Sequence, residues 1–275
     1  MLTSDHVRHQ GWQLSDIDFR ALDVALVRDD ELLFYMLASA SFVEILSELY
    51  SRNLIEHFRD DASVGNWLHD HWQREEMQHG RALKTYVQTA WPEFDWERAH
   101  QGFIIEYAAL CTAQQLEPSR SLELVARCVV ETGTTTFYRA VHDYVREPVL
   151  RSLLANIMAD ETRHYRYFRQ YFDTYNQGAR HGAWAVLKAV WRRIREIQAE
   201  DSYIAFKHVY GGRHPGQPFR QSEWRRYSKM VRSHARHYYP FSMALKMLAK
   251  PIPLAQPLKN LLRWCLLGFA RLMAF

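Results

Sequence analysis

The sequence predicts an all-α fold: a four-helix bundle with an added cross-over helix and a basic helical extension at its C-terminal end. Three observations lead there. Apolar residues recur at helical spacing along nearly the whole chain, and no stretch alternates as a half-buried strand would. Glu-x-x-His occurs at Glu76–His79 and again at Glu161–His164, each preceded by a lone glutamate one helix upstream, Glu44 and Glu131. Proline, glycine and polar clusters then cut the chain into segments of bundle length.

In order, a short helix is expected from Ser15, with Asp18 completing a capping-box-like start. The first long helix runs from about Asp29 to Phe58, the second from about Ser63 to Ala90, and Trp91-Pro92-Glu93-Phe94-Asp95 connects onward. A cross-over helix follows from about Trp96 to Gln115, ended by Glu117-Pro118. The third bundle helix spans about Ser119 to Arg146 and the fourth about Val149 to Tyr175, with Asn176-Gln177-Gly178 as its stop. Beyond it, a basic helix is expected from Gly182 to about Asp201, a loop at residues 211–218, a helix from Ser222 to Tyr238, and a last one from Leu258 to Phe275. Residues 1–179 then form the bundle. Residues 180–275 form the extension, packing on the bundle or contacting a partner or membrane.

Composition narrows the function classes. At 48% hydrophobic and 14% aromatic, a chain of 275 residues can bury a sizeable core. Three scattered cysteines, Cys111, Cys128 and Cys265, include no Cys-x-x-Cys pair. A disulfide framework, a zinc ribbon and a rubredoxin-type iron centre are thereby disfavoured, and a reducing compartment is expected. The polar start Met1-Leu2-Thr3-Ser4 does not resemble a secretory signal.

The acid–histidine pattern exceeds chance. With 17 Glu and 14 His in 275 residues, about one Glu-x-x-His should arise accidentally; three occur, and Glu97–His100, which lacks an upstream glutamate, is taken as the accident. A Glu and the His three positions later share a helix face. Glu44 and Glu76 have their midpoint at residue 60, inside the polar run Phe58–Ser63, and Glu131 and Glu161 have theirs at residue 146, beside Pro148. Both pairs therefore sit level across a turn. Glu48, one turn after Glu44, is a second choice for the first ligand.

Glu44 and Glu131 also lie among apolar residues, where an unpaired carboxylate costs several kcal/mol. Two bound cations would resolve the mutual repulsion. Bundles of this kind carry two metals on one Glu from each of two helices plus two Glu-x-x-His motifs, the arrangement of di-iron carboxylate proteins. Glu44, Glu76, His79, Glu131, Glu161 and His164 are the expected metal ligands, with iron, manganese or a mixed pair all suited to that set. Glu75 and Asp160, each four residues before a motif histidine, are expected to accept that ring's outer N–H or the other helix's. In Glu131-Thr132-Gly133-Thr134-Thr135-Thr136, a local π-bulge is expected, with Thr134 offering its hydroxyl to bound oxygen. Tyr35, Tyr138, Tyr165, Trp72 and Trp184 are candidate electron relays.

These residues resemble the ferritin-like di-iron carboxylate superfamily, and within it the acyl-carrier-protein desaturases and their bacterial relatives. The likeness rests on Glu75-Glu76-Met77-Gln78-His79-Gly80, Glu131 with Thr134, Asp160-Glu161-Thr162-Arg163-His164, and the stretch from Pro148-Val149-Leu150-Arg151 to Tyr167-Phe168. It covers about residues 28–175. The resemblance implies two iron ions, O₂ activation, and desaturation or hydroxylation of an acyl or lipid-like substrate. Glu76 or Glu131 would bridge the metals. It implies a separate electron donor such as a ferredoxin, and a substrate carried on an acyl carrier protein. A ferritin- or rubrerythrin-like oxidase or peroxidase, a tRNA hydroxylase, and a non-catalytic helical interaction protein are the competing expectations.

Charge is divided along the chain. Residues 180–275 hold 18 Lys and Arg against 4 Asp and Glu, a net of +14, so residues 1–179 carry −10 of the total +4. An acidic partner or surface is expected to meet the basic part. In residues 258–275, Lys259, Arg263 and Arg271 fall within an arc of about 120°, opposite Leu261, Leu262 and Phe269. That pattern suits a helix lying on an anionic bilayer, on the bundle, or across the interface of a homodimer. The expected location is cytoplasmic, with a peripheral place on the inner membrane surface as the variant.

Overall fold

In the computed structural model, residues 11–112, 116–197, 202–261 and 264 are described, and every regular element among them is helical. Three 3-10 turns between Leu14 and Leu26 lead into α1 (Glu31–Glu44), α2 (Ser47–His57) and α3 (Ala62–Trp67). A π turn at Leu68–Trp72 joins α3 without a break to α4 (Gln73–Ala90). Then come α5 (Trp96–Tyr107), α6 (Arg120–Tyr144), α7 (Pro148–Ala179), α8 (Ala183–Glu196), α9 (Ser202–Arg213), α10 (Gln221–Tyr238) and α11 (Phe241–Ala249).

Side-chain caps set several starts. Asp30 accepts from the Leu33 amide, Asp61 from the Ser63 and Val64 amides, and Asp95 from the Arg98 amide. Glu147 caps α7, with Pro148 at the first helical position. It is buried and also accepts from the Tyr86 hydroxyl and the Asp23 amide. One carboxylate thus ties the α6–α7 turn to α4 and to the N-terminal segment.

Two apolar clusters form the interior. One gathers Phe34, Phe42, Tyr86, Trp91, Val141 and Leu153; the other gathers Leu54, Trp67, Trp72, Val125, Phe168 and Val190. The four helical runs that carry the buried acids, α1–α2, α3–α4, α6 and α7, each pass from one cluster to the other, and the acidic residues fall at the crossing. On α7, Leu150–Ile157 belong to the first cluster, Phe168 and Phe172 to the second, with Asp160, Glu161 and His164 between. On α6, Val129 and Tyr138 flank Glu131 and Thr135 in the same way. The buried carboxylates form a polar layer sandwiched by hydrocarbon.

Among the described residues the basic part has no separate core of its own. Phe206, Tyr210 and Tyr227 of α9 and α10 join the first cluster, and Val186, Val190 and Met247 of α8 and α11 join the second.

Several boundaries differ from the sequence reading, for identifiable reasons. The expected long first helix bends by 42° between α1 and α2, immediately after Glu44. A β-carbon on Gly80 of α4 would lie 2.4 Å from the Ile45 backbone nitrogen, so this break is where two backbones meet. The expected bulge in the threonine run is absent: α6 is continuous from Arg120 to Tyr144, and Thr132, Thr135 and Thr136 each return a hydroxyl bond to a carbonyl four residues back. The π turn lies at Leu68–Trp72 instead. Helix α7 continues through Asn176-Gln177-Gly178 and ends at Arg180, in left-handed conformation. Gly211-Gly212 close α9 rather than a loop; a β-carbon on Gly212 would meet Ala99 and Phe94, so the glycine permits close approach of α5. The helices at Ser202–Arg213 and Phe241–Ala249 had no counterpart in the sequence reading, and the expected N-terminal helix is a series of 3-10 turns. The cross-over helix ends at Tyr107; residues 113–115, 262–263 and 265–275 lie outside the described residues.

Candidate metal centre

Glu44 closes α1, Glu76 and His79 lie on α4, Glu131 on α6, and Glu161 and His164 on α7; all six are buried. Two overlapping groups emerge. Glu44, Glu76, His79 and Glu161 place one ligand atom each within 4.8 Å of one another, and so do Glu76, Glu131, Glu161 and His164. Glu76 and Glu161 belong to both, so the carboxylates shared between the groups are those of the two Glu-x-x-His motifs. Glu131, which the family resemblance offered as a possible bridge, belongs to one group only. Glu48 is exposed on α2 and belongs to neither.

The orientation of each ring is fixed from outside the layer. His79 Nε2 lies 3.0 Å from Asp160 Oδ2, and His164 Nε2 lies 2.7 Å from Glu75 Oε2. Each outer carboxylate thus serves the histidine of the other helix. Carboxylates only accept, so the outer nitrogens carry protons and the Nδ1 atoms face inward. Arg163, inside the second motif, bridges Glu75 and Asp160 at 2.7 Å each, and the Trp12 indole N–H donates to Asp160 at 2.8 Å.

The outer carboxylate oxygens are held as well. The Tyr138 hydroxyl donates to Glu44 (2.5 Å), Tyr50 to Glu76 (3.3 Å), Trp72 Nε1 to Glu131 (3.1 Å) and Thr134 to Glu161 (2.6 Å). What remains is a set of inward atoms that no group outside the layer satisfies: Glu76 Oε1, Glu131 Oε2, Glu161 Oε1, His79 Nδ1 and His164 Nδ1, with His79 Nδ1 3.2 Å from Glu161 Oε1 and His164 Nδ1 3.1 Å from Glu76 Oε1 and 3.5 Å from Glu131 Oε2. Buried polar groups are normally satisfied, and these five converge on common centres. Two divalent cations would match the four carboxylate charges and satisfy all five atoms. The residues fit a two-metal site.

Electrostatics agree. Burial, then the charges of Glu76 and Glu161, push the Glu44 carboxyl well above its ordinary range. Burial also raises Glu161, partly opposed by its contact with His79. For His79 and His164, burial opposes charging, but the surrounding carboxylates outweigh it and hold both imidazoles well above their usual values. Burial likewise opposes the Asp160 anion, yet His79, Trp12 and Arg163 hold its carboxyl at about 2. Left to protons alone, the layer retains them where cations would sit.

Of the proposed relays, Trp72 and Tyr138 touch this layer. Tyr35 pairs with His214, Tyr165 donates to the Met247 carbonyl, and Trp184 is 82% exposed. The third motif is separate: Glu97 pairs with Lys84, while His100 is buried against Trp96 and Phe42. Sequence reasoning missed Trp12, Tyr50 and Arg163. Arg163 lies three residues after Asp160 on one helix, a detectable spacing; Trp12 is 148 residues from its partner and gives no local signal.

A cavity of about 360 Å³ opens beside the layer, walled by Ala40, Val43, Val130 and Phe137 together with Glu44, Glu76 and Thr134. Comparisons with protein-family models, with curated proteins and with solved structures find no match.

Proposed function

We propose that this chain is a non-haem di-iron oxidoreductase built on a ferritin-like bundle, using O₂ to desaturate or hydroxylate an acyl or other lipid-like substrate. The observation that carries this reading is the convergence of five inward atoms, held only by one another, in a buried layer that borders an apolar cavity. Glu44 and His79 would hold one ion, Glu131 and His164 the other, with Glu76 and Glu161 shared. Iron held there would supply O₂ activation and the oxidising power to remove hydrogen from an unactivated C–H bond.

The chain's own residues do the rest. Ala40, Val43, Val130 and Phe137 exclude water and align a hydrocarbon segment against Glu44 and Glu76. Thr134 and Tyr50 both line this wall and donate to the shared carboxylates, Thr134 to Glu161 and Tyr50 to Glu76, so each holds a proton at the boundary between substrate and metals. Asp160 and Glu75 keep the histidine rings aimed inward. Electrons come from a separate donor such as a ferredoxin.

The cavity favours this reading over an iron store, which needs no apolar site. A peripheral contact with an anionic lipid surface belongs to it, supported by the net +14 of residues 180–275 and by exposed Trp184, Trp191, Leu258, Leu261 and Trp264. Among the described residues no single helix is long and apolar enough to cross a membrane. The test is anaerobic loading of the full chain with ferrous ion, followed by elemental analysis. Two iron ions per chain are expected, with at least one lost in Glu131→Ala. Unchanged metal content in that variant would overturn the site.

A further inference from the structure

We infer that the cavity beside the carboxylate layer takes a free amphipathic acid whose carboxylate is held by Arg127. This rests on the reading above and names the substrate class for it. Arg127 lines the cavity from α6 and is only 7% exposed. Its Nε donates to Glu123 Oε1 at 2.8 Å, and its two terminal nitrogens have no hydrogen-bond partner among the described residues. A buried guanidinium fixed along one edge and open along the other presents the fork that pairs bidentately with a carboxylate. Glu123 is fully buried, so the anchor is rigid. Arg193 of α8 stands at the same end of the cavity, shared between Glu123 and Glu196.

The spacing assigns a different part of the ligand to each end. Arg127 precedes Thr134 by seven residues on one straight helix, about 10 Å at about 1.5 Å per residue. Helical side chains lean toward the N-terminus, which carries the guanidinium further from Thr134. A ligand anchored at Arg127 therefore offers Thr134 and Glu76 a carbon several bonds from its head group. Val130 lies between the two positions on α6, and Ala40 and Met36 of α1 add apolar wall to the same cavity. A thioester tethered to a carrier protein has no charge to satisfy the Arg127 fork, whereas a free acid does. The volume, about 360 Å³, lies at the low end of the range for small-molecule sites, about 300–1,000 Å³.

The test is calorimetric titration of the full-length, iron-loaded protein with decanoate and with decan-1-ol. Decanoate is expected to bind at least about tenfold more tightly. Arg127→Gln should remove that preference while leaving decanol affinity unchanged, and Arg127→Lys should restore part of it. Ala40→Phe, remote from Glu123, should abolish binding of both probes by filling the cavity. Equal binding of acid and alcohol, no binding of either, or an acid preference that survives Arg127→Gln overturns the inference. Iron content measured on the same samples separates the two claims: decanoate selectivity through Arg127 without stoichiometric iron sinks the di-iron reading alone, and iron loading without selectivity sinks this one alone.

Discussion

His79 and His164 each stand between two carboxylates, one inside the layer and one outside it, and that position governs how the site responds to pH. Both imidazoles and the Glu44 carboxyl are held above their ordinary values, so each keeps its proton to higher pH than the free group would, and a metal must displace those protons. Metal binding should therefore release protons, and apparent affinity should rise with pH and fall as the solution is acidified. Titration in buffers of different ionisation enthalpy measures the release directly; zero net release would contradict the assignment of the Nδ1 atoms as ligands. At this scale the convergence of the six acid and histidine side chains was legible, because helical periodicity puts Glu76 with His79 and Glu161 with His164 on one face. The outer contacts of Trp12 and Tyr50 were not. Both come from segments whose approach depends on tertiary packing, and nothing in a local window records it.

Among the elements, the junction between α1 and α2 carries the most consequence. Glu44 is the last residue of α1, and the backbone just after it rests against Gly80, the residue after His79. Gly80→Ala would drive a methyl group to 2.4 Å from the Ile45 nitrogen, where only backbone can yield. The expected result is a loss of about 1–3 kcal/mol in stability, read by thermal or denaturant unfolding, and weaker metal binding on the Glu44 side. Wild-type unfolding with full metal content would refute the close approach. The hairpins were readable from their turns, since Pro148 and the polar run at residues 58–63 break the helical pattern plainly. The α1–α2 break was not, because its cause is a glycine 35 residues away. Glycines also misled: Gly212 and Gly178 read as stops but lie within helices, where Gly212 answers to packing against Phe94 and Ala99.

Across the whole molecule, charge and hydrocarbon are arranged on opposite principles inside and outside. The interior places its acidic layer between two apolar clusters; the exterior places aromatic rings among cations. On α8, Trp184 and Trp191 are 82% and 64% exposed, and Lys188 and Arg195 are exposed on the same helical stripe at spacings of four, seven and eleven residues. The same helix turns Arg193 and Glu196 toward the cavity. Vesicles containing phosphatidylglycerol should therefore sediment the protein better than neutral phosphatidylcholine vesicles. The difference should shrink with added salt and with Trp184→Ala plus Trp191→Ala, and equal binding to both vesicles would contradict the surface assignment. The division of charge was visible in the sequence, but not which helix would display its tryptophans. The most direct measurement of the central claim is anomalous diffraction at the iron edge from crystals of the iron-loaded chain. Two peaks are expected, about 3.5–4 Å apart, both touching Glu76 and Glu161, one beside His79 Nδ1 and the other beside His164 Nδ1. A single peak, or iron bound away from these six side chains, would contradict it.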